Sequence, residues 1–139
     1  MALLGDHPLN PILPAQDGDR ARAFYRDVLG LELLSGPAED PMAFGAAGTT
    51  IVLSEMPDRV PPPYPVVSFM VTGIEELVDD LAAAGVEFLP LGTGSFAGVD
   101  GVPQGRIMDF GPVKSTFLRD SEGNVLALNQ FSGDQFSGH

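Results

Sequence analysis

A short motif that occurs twice constrains the fold of this chain more than any other feature. The stretch LGLELL at 29–34 matches AGVEFL at 84–89, so the second copy follows the first by 55 residues. Each copy comes directly after a segment with helical periodicity, and each of those segments follows a strand-like run. An internal repeat of this kind predicts two similar modules, each with a strand, a helix and then further strands.

Both helical segments carry apolar residues along one face. Segments 18–30 and 73–85 place them at i, i+3, i+4 and i+7, which is typical of an amphipathic helix. The helix starts align best at an offset of 56 residues, so one residue is gained or lost between the modules. Residues suited to helix ends flank both segments. They are Asp17 or Asp19 before the first helix, Thr72 before the second, and Gly30 and Gly85 after them.

Five runs of residues have the composition of strands. They are 10–16, 49–55, 65–71, 113–120 and 124–131. Gly123 and Asn124 suit the turn between the last two runs, because both residues tolerate a positive φ.

The segments between these elements have distinct compositions. Residues 57–65 include five prolines and predict a stiff linker, because proline interrupts both helices and central strands. Residues 92–105 form a glycine-rich loop that is long enough to act as a lid over a site. We therefore expect a single domain over 1–139, divided as follows. Module one covers about 8–56, the linker 57–65, module two about 66–131, and a frayed tail 132–139.

Composition excludes several classes of function. The chain has 7 basic and 19 acidic residues and a net charge of −12, which disfavours binding to the phosphates of nucleic acid. It has no cysteine, so disulfides, thiolate nucleophiles and cysteine-ligated metals are excluded. No apolar run reaches the ~18 residues of a membrane helix, and the first residues do not have the pattern of a secretory signal. We expect a cytoplasmic protein with no membrane partner.

Three stretches together resemble a known superfamily. They are QDGDRARAFYRDVLGLEL (16–33), VSFMVTGIEELVDDLAAAGVEF (67–88) and FLRDSEGNVLALNQ (117–130). The chain is similar here to the glyoxalase / bleomycin-resistance / extradiol-dioxygenase superfamily, also called vicinal oxygen chelate proteins. The resemblance implies an α+β fold in which two βαβββ modules form a cup-shaped mixed sheet with the helices outside. It also implies a homodimer, but it leaves the reaction open, because this superfamily hosts lyases, dioxygenases, epimerases and binding proteins.

Metal-using members of the superfamily place ligands at four strand positions. Counting from the matched motifs, these positions fall on Asn10, Val52, Val66 and Ala127. Only the asparagine has a donor atom, and an amide oxygen alone is a weak ligand for the iron, manganese, nickel or zinc of such sites. A shifted alignment could bring in His7 or Glu55 as a ligand. His7 is three residues from Asn10 and Glu55 is three residues from Val52, so strand alternation points both side chains to the opposite face of the sheet. We expect no metal cofactor, with a divalent metal ion as the alternative.

Strand alternation predicts the residues that face the cup. If the four positions above face inward, their neighbours two residues away do so as well, and the opposite faces are apolar and pack on the helices. The inward set mixes small apolar and neutral polar groups, which suits a pocket for a mainly apolar ligand. Phe110 at the rim and Lys114, the only lysine, are further candidates, although a surface position for Lys114 and a cup filled by its own side chains are alternatives. The candidate ligand-binding residues are Asn10, Ile12, Val52, Ser54, Val66, Ser68, Met70, Phe110, Lys114, Ala127 and Asn129.

The sequence therefore predicts a metal-free protein that binds a small apolar or aromatic molecule in its cup, as drug-sequestering resistance proteins do. One alternative is a metal-dependent lyase or dioxygenase of the same superfamily whose ligands are not recognised, or a metal-free enzyme that uses acid–base residues. Another is a regulatory module that acts through protein contacts. No catalytic residue can be assigned, because no Ser–His–Asp arrangement can be assembled from two terminal histidines.

Overall fold

The structure is a computed structural model that describes residues 3–92, 94–96 and 98–132. The chain divides into two compact units, Met1–Val60 and Pro61–His139, which we call unit 1 and unit 2. The boundary between them falls inside the proline-rich segment 57–65 that the sequence predicts as a linker. Within the described residues, neither helix is long and apolar enough to cross a bilayer.

Unit 1 contains a strand, a helix and three further strands. They are β1 (Ile12–Ala15), α1 (Gly18–Ala23) with a π-helical turn (Phe24–Val28), β2 (Glu32–Leu33), β3 (Met42–Ala46) and β4 (Thr49–Glu55). The sheet has the order β1-β4-β3-β2, in which β1 and β4 are parallel and the other pairs are antiparallel. This connectivity is a βαβββ module.

The core of unit 1 lies on the helix side of its sheet. Leu13, Ile51 and Leu53 alternate along β1 and β4 and are buried, as the period of two in the sequence predicts. Tyr25 and Phe44 are fully buried, with ring centroids 5.6 Å apart. Each buried aromatic ring removes roughly 150–250 Å² from water, so this pair stabilises the core of unit 1.

Unit 2 repeats this module and adds strands in one connection. Its elements are β5 (Pro65–Met70), α2 (Ile74–Ala83), β6 (Glu87–Phe88), β7 (Ser95–Phe96), β8 (Val99–Asp100), β9 (Val102–Gln104), β10 (Ile107–Asp109), β11 (Val113–Arg119) and β12 (Val125–Phe131). The main sheet has the order β5-β12-β11-β10-β9, β6 also pairs with β11, and β7 pairs with β8. Without β7–β10, the elements follow the order and pairing of unit 1. The prediction of an α+β fold with two βαβββ modules is confirmed, and the cup formed by the two modules together stays a prediction.

The strand register shows which residues of the two modules are equivalent. Ile12 is paired with Val52 in unit 1, and Ser68 is paired with Ala127 in unit 2. Ile12 and Ser68 are related by the offset of 56 residues that also relates the first residues of α1 and α2, so their partners Val52 and Ala127 are equivalent as well. The register therefore supports the alignment that made Val52 and Ala127 equivalent.

A side chain from the last strand of each module holds the N-terminus of that module's helix. In unit 1, the Gly18 backbone N–H donates to Oε2 of Glu55 over 2.7 Å. In unit 2, the Ile74 backbone N–H donates to Oε1 of Gln130 over 2.9 Å. Glu55 and Gln130 each stand three residues after the paired position Val52 or Ala127, so the repeat extends to this contact. Each acceptor satisfies one of the backbone donors that a helix start leaves unpaired.

The predicted helix ends are correct except before α2. Asp17 is the N-cap of α1, and its side chain accepts from the Arg20 N–H over 3.2 Å. Gly30 and Gly85 have φ of 77° and 91°, as expected for C-terminal caps. The expectation that Thr72 caps α2 is wrong, because Gly73 is the N-cap and makes no side-chain hydrogen bond. The donor at the start of α2 is satisfied by Gln130 across the sheet instead.

The two connections predicted in module two have different outcomes. The glycine-rich segment 92–105, predicted as a long loop, contains the short strands β7, β8 and β9. The hairpin before β12 is held by Asp120, whose Oδ1 accepts from the N–H groups of Glu122 and Asn124 over 2.8 Å each. Gly123 has φ of 88°, which confirms the need for glycine in this turn. The predicted tail 132–139 lies outside the described residues apart from Ser132.

Candidate functional site

A row of neutral polar side chains crosses three strands of unit 2. Ser115 on β11 donates through Oγ to Oδ1 of Asn129 on β12, over 2.6 Å. Asn129 in turn donates through Nδ2 to Oγ of Ser68 on β5, also over 2.6 Å. The register places Ser115 opposite Asn129, so these side chains lie on one face of the sheet. Two of the three residues, Ser68 and Asn129, were predicted as ligand-binding, and the structure brings them together.

Small and apolar side chains complete this face. Ala127 lies between Ser68 and Phe117 in neighbouring strands, and Met108 lies opposite Ser115. Because side chains alternate along each strand, the residues that share this surface follow from the pairing. We call the surface the ladder face; its residues are Ser68, Met70, Met108, Ser115, Phe117, Ala127 and Asn129.

The ladder face is accessible along β5. Met70 is 66% exposed and Ser68 is exposed, whereas Ala127, Ser115 and Met108 of the same face are buried. Burial alternates along β5 as predicted, with Val67 and Phe69 half-buried between exposed residues. It does not alternate along β12, where residues 125–128 are all buried. The exposed part of the ladder face offers hydrogen-bonding groups from Ser68 and Asn129 next to apolar surface.

A pocket of about 240 Å³ opens beside Phe117 within unit 2. Its lining residues are Pro90, Leu91, Gly92, Gly94, Met108, Phe110 and Phe117. The pocket follows from the pairing of β11, which changes partner along its outer edge. That edge pairs with β10 at Lys114 and Ser115 and with β6 at Leu118 and Arg119. Phe117 comes between these two paired stretches of β11, and it lines the pocket.

Phe110 is placed in the pocket lining, where the sequence expected the rim of a site. Sequence reasoning missed three residues of this region, Ser115, Phe117 and Met108. Alternation in the run 113–120 puts Ser115 and Phe117 on a common face, which is a usable signal. Their position beside Asn129 and Ala127 depends on the register of β11 against β12, which a single sequence does not reveal.

The four candidates from module one lie together in unit 1. Ile12 is 67% exposed and is paired with Val52, while Val52 and Ser54 are half-buried. With its amide oriented so that nitrogen donates, Asn10 bonds the carbonyl oxygens of Leu9 and Thr50 over 3.1 and 3.2 Å. The side-chain amide of Asn10 is therefore hydrogen-bonded to backbone carbonyl groups of unit 1.

The residues at the four superfamily ligand positions do not fit a metal. Val52, Val66 and Ala127 have no donor atom, and the Asn10 amide is engaged by backbone carbonyl groups. Glu55, the carboxylate nearest to Val52 on the same strand, accepts from the start of α1. Within residues 3–92, 94–96 and 98–132, no group of three or more His, Asp or Glu side chains is close enough to hold a metal ion together.

Lys114 lies on the opposite side of the sheet from the ladder face. Its Nζ donates to Oε2 of Glu75 in the first turn of α2 over 2.6 Å. This hydrogen bond raises the pKa of Lys114 above its ordinary value and lowers the pKa of Glu75. The structure therefore places Lys114 in a contact between strand and helix, and we leave it out of the candidate site.

Comparisons with known proteins agree with this architecture. The family described as bleomycin resistance protein-like N-terminal matches residues 8–44. A search of curated proteins gave no match.

Several solved structures share the fold. A protein assigned to the glyoxalase family from Bacillus anthracis has a TM-score of 0.70 at 20% identity, covering 95% of this chain and 100% of that one. The fosfomycin resistance protein FosX from Listeria monocytogenes has a TM-score of 0.66 at 18% identity, with coverages of 93% and 94%. Lactoylglutathione lyase from Agrobacterium tumefaciens has a TM-score of 0.64 at 18% identity, with coverages of 92% and 96%. The resemblance seen in the sequence is confirmed at the level of the fold.

Proposed function

We propose that this chain, which has the fold of the glyoxalase and bleomycin-resistance proteins, binds a small, partly aromatic molecule at the ladder face without a metal. One observation carries the proposal: the hydrogen-bonded row Ser115–Asn129–Ser68 runs beside an apolar pocket in the same unit. Sites for small molecules combine an apolar lining with a few oriented polar groups, and this arrangement has both.

The charge of the protein favours a neutral or cationic ligand. The pocket residues that the structure describes carry no charged side chain. Of the three cations in the described part of unit 2, Lys114 is paired with Glu75, Arg119 lies 3.7 Å from Glu87, and Arg106 is exposed with its guanidinium 5.9 Å from the ring of Phe88. None of the three lines the pocket. A net charge of −12 raises the local concentration of cations and repels anions, so a neutral or cationic ligand is favoured.

The comparisons support a resistance-type role. The match of residues 8–44 is to a family named for bleomycin resistance, and one solved structure with the same fold is a fosfomycin resistance protein. Sequestration of a toxic aromatic compound needs affinity and no reaction, which is consistent with ligand positions that lack donor atoms. A homodimer and a cytoplasmic location stay predictions; sedimentation or light scattering of the purified protein tests the first.

The proposal is tested with a matched set of naphthalene derivatives. Thermal unfolding is followed in the presence of three compounds that share the naphthalene ring system. 2-Naphthol is neutral, 1-naphthylmethylamine is cationic and 2-naphthoate is anionic. We expect the first two to raise the melting temperature and the third to have little effect, because a ligand at 100 times its Kd adds about 2.7 kcal/mol to the free energy of unfolding.

Two variants locate the binding. Asn129→Ala removes the central member of the polar row and is expected to weaken binding about tenfold, since an unpaired polar partner costs roughly 1–3 kcal/mol. Gln16→Ala, an exposed amide of unit 1 that bonds the Arg59 carbonyl, is the matched control and should bind as the parent does. If no compound stabilises the protein, or if binding requires about one bound metal ion per chain, the metal-dependent enzyme becomes the better hypothesis.

A further inference from the structure

We propose, on the basis of the function inferred above, that the described residues of the connection from β6 to β11 (89–92, 94–96 and 98–112) build a ring-binding subsite and that Gly101 sets the size of ring it accepts. Six of the seven residues that line the pocket come from this connection, and the seventh is Phe117 on β11. In unit 1, the equivalent connection between β2 and β3 spans only 34–41. The subsite is therefore a feature of the second module and not of the repeated frame.

The lining of this subsite suits a flat aromatic ring. Phe110 and Phe117 offer aromatic surface, Met108 offers a polarisable thioether, and Gly92 and Gly94 leave backbone surface open. Aromatic rings and thioether sulfurs pack favourably against a further ring. A volume of about 240 Å³ lies just below the ~300–1,000 Å³ of pockets for drug-sized molecules, which points to a ligand with one or two rings.

Gly101 lies directly against two of these lining residues. A Cβ built at this position would be 2.6 Å from Cγ and 2.7 Å from Sδ of Met108, and 2.7 Å from Cε1 of Phe110. Real Cβ atoms essentially never approach other atoms so closely, so both side chains would have to move. The Gly101 N–H also donates to the carbonyl of Gly94 over 2.9 Å, and Gly94 is itself a lining residue of the pocket.

The conformation of Gly101 does not itself require glycine. Its φ is not among the positive values found at eight other glycines, so an alanine can adopt the same backbone. A methyl group at this position would instead act on its neighbours, by pushing Met108 and Phe110 out of their present positions. Since both side chains line the pocket, a change at Gly101 alters the space that is available to a ring without replacing any residue of the polar row.

The experiment measures the binding of two neutral probes to the full chain. N-phenyl-1-naphthylamine is followed by its fluorescence increase in apolar surroundings, and phenol is followed by calorimetry. In Gly101→Ala, we expect the Kd of the larger probe to rise about tenfold and that of phenol to change less than about threefold, because one methylene in an apolar pocket is worth roughly 10- to 200-fold. Gly45→Ala in β3 of unit 1 is the control, because its Cβ would meet Leu34 at 3.4 Å, an ordinary contact.

A second variant tests the opposite direction. Phe110→Leu enlarges the pocket at a half-buried position and should shift the preference towards the larger probe, even if Gly101→Ala fails to fold. Equal changes for both probes, or none, in variants that remain folded would overturn the role of Gly101. If Asn129→Ala still weakens binding in that case, the proposed function stands without the subsite. If the parent protein binds neither probe, the result contradicts the proposed function and, with it, the subsite.

Discussion

Replacing Glu55 or Gln130 by alanine tests whether these residues are helix-capping elements. Gly18 is buried and Ile74 is fully buried, and each gives its backbone N–H to one of the two side chains. Alanine leaves that N–H without an acceptor in a site with little access to water. The loss of one such partner costs about 1–2 kcal/mol, within the range for N-terminal caps.

The magnitude is measured by urea unfolding of the parent and four variants. Glu55→Ala and Gln130→Ala should each lower the free energy of unfolding by about 1–2 kcal/mol, or the melting temperature by roughly 3–8 °C. Glu55→Gln and Gln130→Glu keep an oxygen acceptor and should lose less than half as much. These two variants exchange the acceptors of the modules, so that unit 1 receives the amide of unit 2 and unit 2 receives the carboxylate of unit 1. They are suitable controls, because each type of acceptor already holds a helix start in one of the two modules.

One result would refute this reasoning. If Glu55→Ala leaves the free energy of unfolding unchanged but removes a metal ion found in the parent protein, Glu55 is a metal ligand. The alignment that placed Val52 at the ligand position would then be wrong by three residues. Elemental analysis of the same five protein samples therefore accompanies the unfolding measurements.

Three further changes have defined outcomes. Asp120→Ala should destabilise the protein by about 2–4 kcal/mol, because two buried N–H groups and the Asn124 amide lose their acceptor, and Asp120→Asn should cost about half of that. The Lys114–Glu75 pair lowers the pKa of Glu75 and raises that of Lys114, so its stabilisation should be present between about pH 4.5 and 10.5. This stabilisation should be lost as pH falls through the folded pKa of Glu75 or rises through that of Lys114. Unfolding curves of the parent and of Lys114→Met, measured across this pH range, check the prediction. Added salt should reduce the difference in unfolding free energy between the two proteins. Thr72→Ala should leave stability within about 0.5 kcal/mol of the parent, because Gly73 and not Thr72 is the N-cap.

The repeat made most of the fold predictable from the sequence. The runs 49–55, 113–120 and 124–131 are strands within one residue, the offset of 55 recurs between β2 and β6, and that of 56 recurs between the helix starts. These features are local, since periodicity and turn residues determine them. The start of α2 was not predictable in the same way, because its donor is satisfied by Gln130, 56 residues later in the chain.

The candidate site was only partly predictable for the same reason. Ser68, Ala127 and Asn129 share a face because alternation within one strand is visible in the sequence. The contact of Asn129 with Ser115 depends on the register between β11 and β12. The pocket depends on β10, a segment that the sequence analysis assigned to no element. The side of the sheet that Lys114 occupies also follows from this register, since it is paired with Gln130 on the α2 side.

Ala127 and Gln130, three residues later, have different roles on the same strand. In both modules, the ligand position and the capping position lie on the same strand but point to opposite sides of the sheet. Glu55 and Gln130 accept hydrogen bonds from the helix starts, whereas Val52 and Ala127 face the other side of the sheet. A donor atom can therefore be absent from the second pair without weakening the modules, and the opposite side of the sheet is free to carry a different chemistry. In unit 2 that chemistry is the hydrogen-bonded row Ser115–Asn129–Ser68. Its last member, Ser68, is the cross-strand partner of Ala127, the position at which a metal ligand would be expected.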